Sequence, residues 1–400
     1  MLIPVSARAK SPRRQPNMLT VKRALIAAAF FITIFYIVTR SHGPDAPPSV
    51  QIRPEEVLPK TDNTHDSSKQ PSSSTDKPHA AEKPLNNGGH GGGGGITGQK
   101  TMQDLSKMST YDKLAYQFPY DVETKFPAYI WQTWKYNPSS GKFKFREEEA
   151  TWTEHHPGFI HEVITDDVAE NLVKLFYASV PEVIEAYTAM PLPVLKADFF
   201  RYLILLARGG VYSDIDTSAL KSAVEWVPDS VPRETIGLVI GIEADPDRPD
   251  WHEWYSRRIQ FCQWTIQSKP GHPVLRDIVA RIAAETLKRK RSGLLAAMDT
   301  KNVIEFTGPA VWTDTIFEYF NDPRYFDMST SKGAIDYRNF TGMEVAKKVG
   351  DVIVLPITSF SPGVQQMGAK EPDDPMAFVH HDFEGESPAT GPKPLGAELD

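Results

Sequence analysis

Cysteine is almost missing: Cys262 is the only one in 400 residues. That excludes an internal disulfide and any cysteine-ligated zinc or iron–sulfur centre. Acids are missing from residues 1–40, where Arg8, Lys10, Arg13, Arg14, Lys22, Arg23 and Arg40 carry +7 and leave -14 on the rest. The two parts therefore suit different surroundings. Aromatics are missing from residues 41–100, so that stretch has little with which to build a core. A basic surplus is missing too: 44 Lys+Arg face 51 Asp+Glu, a net charge of -7, and nothing in that balance favours capture of nucleic acid. After residue 40 no second long apolar run follows, which disfavours a multi-spanning membrane protein.

What is present divides the chain. Residues 1–23 read as a basic cytosolic tail. Residues 24–39, ALIAAAFFITIFYIVT, are uninterruptedly apolar between Lys22–Arg23 and Arg40. As a helix they reach roughly 24 Å, short of a bilayer core of about 30 Å but extended by cations that snorkel outward. Positive charge on the N-terminal side predicts a transmembrane signal anchor with the following chain in the lumen. A cleaved signal peptide competes with this reading, against a long basic leader and no Ala-x-Ala after the apolar run. Residues 40–110 read as a disordered luminal stem: positions 41–100 hold 8 Pro, 9 Gly and 7 Ser, and Gly88–Gly95 is broken only by His90. Residues 385–400 form a polar tail.

Residues 111–384 carry the core-forming composition. Strands at Tyr129–Trp134 and near Phe159–Thr165 alternate with helices around Asp167–Tyr177 and Val183–Tyr187, which predicts an α/β head with a mostly parallel central sheet. Leu195–Arg208 has apolar residues at 195, 199, 202, 203, 206 and 207, the spacing of a helix with a buried stripe and with Asp198 and Arg201 on its polar side. Gly209–Gly210 ends it. Val211, Tyr212 and Ile215 then favour extended chain, so Asp214 and Asp216 are expected to project to one side of a strand or its frayed end. Two carboxylates on one side make a hard-oxygen site for a divalent ion that also grips phosphate.

The whole block Asp198–Asp216 combines a helix-borne acid and arginine, a double-glycine stop, Tyr212 and the two carboxylates. It resembles the donor site of glycosyltransferase family 32 and, more distantly, that of sugar-transferring bacterial toxins. Tyr129–Lys135, Trp152, His156-Pro157-Gly158, Ile164–Asp167, Gln263-Trp264-Thr265, Gly271-His272-Pro273 and Thr307–Thr313 look like further blocks of that family. Within it the chain is most similar to the fungal initiation-specific alpha-1,6-mannosyltransferase group. One departure stands out: His381-Asp382-Phe383-Glu384-Gly385-Glu386-Ser387 lacks the tryptophan with which such a stretch usually closes.

The resemblance implies a GT-A-type nucleotide-sugar-binding fold and a retaining transfer of mannose from GDP-mannose, with Mn²⁺ or Mg²⁺, to the N-glycan core of glycoproteins. It also implies a single-pass type II protein of the Golgi membrane, with room for mannosyltransferase complex subunits as partners. Asp214, Asp216 and His381 become candidate metal ligands. Asp198 and Arg201 become candidates for holding donor hydroxyls and phosphate, Tyr212 for packing beside the diphosphate, and Trp131 for stacking on guanine, with a core tryptophan as the alternative. His272-Pro273 and Thr307-Gly308-Pro309 read more readily as turns. Lys288–Arg291 reads as the solvated end of a helix, and Asn339-Phe340-Thr341 is the only glycosylation sequon. A mannan-elongating or sphingolipid-directed transferase and an inactive membrane-tethered scaffold are the competing functions.

Overall fold

In the computed structural model the described residues are 107–383, save 247–248, 254, 299, 330–332 and 365–366. The expected anchor, the polar tail and almost all of the expected stem lie outside them. Among the described residues no helix is long and apolar enough to cross a membrane.

The core is an eight-stranded sheet. Its strands are β1 (Tyr129–Thr133), β2 (Ile160–Ile164), β3 (Gly210–Ser213), β5 (Leu238–Ala244), β6 (Gln260–Phe261), β7 (Thr265–Ser268), β8 (Lys347–Val349) and β9 (Val352–Leu355). The path is β2-β1-β3-β7-β5-β9-β8, with β6 on β5. The strands β1, β2, β3, β5 and β9 run one way, and β6, β7 and β8 the other. A mostly parallel sheet is therefore present, with β7 set antiparallel between β3 and β5. Strand β4 (Thr217–Ala219) leaves the sheet and pairs with β10 (Val379–His381).

Side chains alternate along the strands and feed two cores. Trp131, Tyr212, Leu238, Ile240, Val352 and Val354 face one apolar cluster, whereas Ile130, Val211, Val239, Ile353 and Leu355 face another. The first cluster is roofed by α4 (Pro181–Ala189), α5 (Pro193–Arg208), α6 (Pro273–Arg291) and α8 (Pro309–Phe320); α6 packs on α4, α5 and α8. The remaining helices are α1 (Thr110–Gln117), α2 (Arg146–His155), α3 (Asp166–Phe176) and α7 (Thr300–Phe306). Proline opens α4, α5, α6 and α8 at the first turn, where its missing N–H costs nothing.

Helix α5 is buried well beyond the expected stripe. Every residue from Asp198 to Leu206 is buried, Asp198 and Arg201 included. Gly209 and Gly210 end it with φ of 64° and 97°, and a Cβ on Gly210 would lie 2.6 Å from the Tyr129 carbonyl oxygen. Only glycine meets both demands at that junction.

Candidate active site

The short β3 lies next to α5 in sequence and space, so the helix delivers Asp198 and Arg201 beside the residues that follow the strand. Asp214 and Asp216 are not in a strand: they occupy the turn between β3 and β4. Of the two expected placements, strand or frayed end, the second is found: Thr217 Oγ1 donates to the Asp214 carbonyl at 2.6 Å and folds the chain back just past β3. Ile215, between the two acids, is buried against Phe143 and Phe145. That anchor turns both carboxylates the other way.

His381 completes the group. Strand β10 places it opposite Thr217 in the β4 ladder, and the Asp382 N–H donates to the Asp216 carbonyl at 2.9 Å. His381 Nε2 lies 3.3 Å from Asp216 Oδ1. One ligand atom from each of Asp214, Asp216 and His381 falls within 4.8 Å of the others. Two carboxylates and an imidazole suit a borderline-hard divalent ion such as Mn²⁺, and the buried His381 Nδ1 without a partner agrees with an incomplete polar shell here. Trp264 and Phe383 flank the imidazole, with ring centroids 4.7 and 4.1 Å away.

Arg201 links the helix to this turn. Its Nη2 lies 3.1 Å from Asp198 Oδ1 and 3.2 Å from Asp214 Oδ1, and its guanidinium stands over the Tyr212 ring at 5.1 Å. Tyr212 donates to Asp214 Oδ1 at 3.0 Å. Burial works against the Arg201 charge, but Asp214, Tyr212 and Asp198 together push its pKa up, so it stays a cation. The guanidinium keeps one buried N–H, at Nε, without a partner.

Asp198 shows the opposite balance. Burial pushes its carboxyl up to about 6, against the pull of Arg201 and the hydrogen bond from Thr307. Asp214 is likewise raised, first by burial and then by neighbouring Asp216, with Arg201 opposing. The centre thus concentrates carboxylates around one cation, an arrangement that an added divalent cation relieves.

Several supporting residues were not singled out as site residues by sequence reasoning. Strand β7 and the short β6 run antiparallel along β5, and the register slips between them across Cys262–Trp264. The slip aims Gln263 at Asp198 Oδ1, 3.2 Å away, and the Trp264 carbonyl at the Asp214 N–H, 2.8 Å away. Thr307 does turn the chain into α8, but its hydroxyl also donates to Asp198 Oδ2 at 2.8 Å. Glu243 is pushed up to about 8 by burial and sits near enough to feel Arg201. The family-like blocks around Gln263 and Thr307 were the available signal; for Glu243 there was none.

Trp131 stands apart from this group. It is 7% exposed, its indole N–H donates to the Gly209 carbonyl at 2.9 Å, and its ring stacks on Tyr129. The structure puts it in the core alternative. His272 caps α6 by accepting the Val274 N–H at 3.2 Å, as the turn reading expects.

A two-carboxylate turn just past β3, with a buried arginine from α5 and a histidine from β10 beside it, is an arrangement suited to the donor site of a glycosyltransferase. The family described as "Glycosyltransferase sugar-binding region containing DXD motif" matches residues 143–234. A protein of Candida albicans named "Initiation-specific alpha-1,6-mannosyltransferase" is 50% identical over 288 residues, 68% of this chain and 75% of that protein. One of the same name from Schizosaccharomyces pombe is 46% identical over 275 residues, 68% of this chain and 66% of that protein. The solved PaToxG glycosyltransferase, with a TM-score of 0.33 and 16% identity over 55% of this chain and 78% of that one, is too loose a likeness to bear on the site. The chain belongs to glycosyltransferase family 32, in the group of the initiation-specific alpha-1,6-mannosyltransferases.

Proposed function

We propose that this protein is a metal-dependent, retaining alpha-1,6-mannosyltransferase that moves mannose from GDP-mannose to the N-glycan core of glycoproteins. We place it in the Golgi membrane, anchored by residues 24–39 with its head in the lumen. The observation that carries the chemistry is the convergence of Asp214, Asp216 and His381 within 4.8 Å, beside an arginine with a buried N–H that has no protein partner. The names of the relatives support the sugar and the linkage.

Asp214, Asp216 and His381 would hold Mn²⁺, or Mg²⁺ in its place. When bound, the ion supplies positive charge to a departing diphosphate. Arg201, kept cationic and fixed from two sides by Asp198 and Asp214, donates from Nε to a phosphate or sugar oxygen. Asp198 accepts from donor hydroxyls, its orientation set by Gln263 and Thr307. Tyr212, locked by Thr133 at 3.0 Å and by Asp214, keeps the guanidinium from swinging. Departure and attack on the same sugar face need no covalent nucleophile, and none is assigned.

The test is product analysis of the full chain in detergent with GDP-mannose, Mn²⁺ and an oligomannose acceptor. Transfer of one α-1,6-linked mannose is expected, with turnover falling at least 10³-fold in Asp216→Ala on the scale of losing an electrostatic stabiliser. Undiminished transfer in strong chelator overturns the metal reading. Binding of GDP-mannose without any transfer would favour the inactive scaffold.

A further inference from the structure

The sheet edge away from the acid turn carries a second concavity. Gly210 and Leu238 pair with Ser268 at one end of the ladders, and Ser213 pairs with Thr265 at the other. Asp214 follows Ser213, whereas Asp351 precedes Val352, the partner of Leu238. The acid turn and Asp351 therefore sit at opposite ends of the strands, about 10 Å or more apart at 3.3 Å per residue.

Around Asp351 lies a cavity of about 710 Å³ whose walls include the rings of Tyr120, Tyr319, Tyr325 and Phe326. Glu123 and Glu234 also line it, both exposed. Among the described residues that line it there is no lysine or arginine, so it is not built for a phosphate or a nucleotide. Its buried polar group already has hydrogen-bond partners. Asp351 receives hydrogen bonds from Tyr120 and, at 2.8 Å, from Tyr319, and His272 Nε2 lies 3.3 Å from it. Both phenols spend their protons there, and Thr235 gives its own to the Pro232 carbonyl at 2.7 Å. What these side chains offer a ligand is aromatic faces and oxygen acceptors.

A ligand matched to that lining is neutral, rich in hydroxyl donors and equipped with an apolar C–H face. An organic cation fits less well: Asp351 already accepts from two phenols, and the two glutamates are in solvent, where their charge is screened. We propose that this cavity is a saccharide subsite that holds an outlying branch of the acceptor glycan, away from the transfer centre. It rests on the reading that the acceptor is a glycan.

The test uses the full chain in detergent with GDP and Mn²⁺ saturating the donor site, titrated calorimetrically with α-linked mannotriose and separately with choline. Mannotriose binding is expected in the wild type, equally in Asp216→Ala, and about tenfold weaker in Tyr325→Ala, the scale of one lost aromatic contact. In transfer assays Tyr325→Ala and Glu123→Gln are expected to raise KM for a branched oligomannose several-fold. Both should leave kcat, donor KM and the KM of a dimannoside unchanged. Tighter binding of choline than of mannotriose, no mannotriose binding at all, or a KM change equal for long and short acceptors overturns the proposal. Wild type that binds mannotriose but transfers no mannose sinks the transfer reading alone. Wild-type transfer with Tyr325→Ala unaltered in both readouts sinks the subsite alone.

Discussion

Asp198 has both oxygens engaged, one by Gln263 and Arg201 and the other by Thr307, yet its pKa is raised to about 6 because burial outweighs those partners. As pH falls through about 6 it takes a proton and loses its hold on Arg201 and on donor hydroxyls. An acid limb near pH 6 in kcat/KM follows, and it should vanish in Asp198→Asn, whose residual rate is expected to be about 100-fold lower. Stability moves the other way. The native state binds this proton more tightly than the unfolded chain, so this group's contribution rises as pH falls from about 6 towards the unfolded value of about 4. Denaturant titrations of wild type and Asp198→Asn between pH 4 and 7 measure that difference. Equal pH slopes for the two proteins would contradict it. The residue types were readable in advance, since an acid, an arginine, a tyrosine and two carboxylates stood in a recognisable order. Their protonation was not, because it depends first on burial by distant segments, with Arg201, Thr307 and Gln263 opposing.

Helix α5, its glycine stop and β3 form a unit whose geometry decides where the acids lie. Gly210→Ala would force a Cβ to within 2.6 Å of the Tyr129 oxygen at φ 97°. A loss of about 2–4 kcal/mol is expected, visible as a lower urea midpoint together with weaker metal binding as β3 shifts against β1. Periodicity exposed this helix and strand because it records burial along a single segment. It placed the two carboxylates on a strand or its frayed end without showing the turn after Ser213, which comes from the Thr217 hydroxyl and from Ile215 burying itself beside Phe143 and Phe145. It also put Asp198 and Arg201 on a polar side of α5 that the fold buries.

Asp351 ties together segments far apart in the chain: the Tyr120 loop, the start of α6 through His272, the end of α8 through Tyr319, and β9. Asp351→Asn leaves two phenols and an imidazole with a poorer acceptor, and a loss of about 1–3 kcal/mol is expected, measured by denaturant unfolding. Asp351 is held well below the usual carboxylate range: burial opposes this, but His272 and the two phenols overcome it. Its stabilisation is therefore complete above about pH 4, and it fades only as pH falls towards its lowered value. For the chain outside the described residues, deletion of 24–39 should release the protein from carbonate-washed membranes. Retention would remove the anchor reading. Sequence alone was enough for helix and strand periods and the family of the donor block, all of which are local or linear properties. The meeting of His381 with Asp216, the burial of Arg201 and the aromatic cavity around Asp351 needed the folded chain. Each joins residues that no short-range pattern connects, and each has an energy fixed by the water that packing removes.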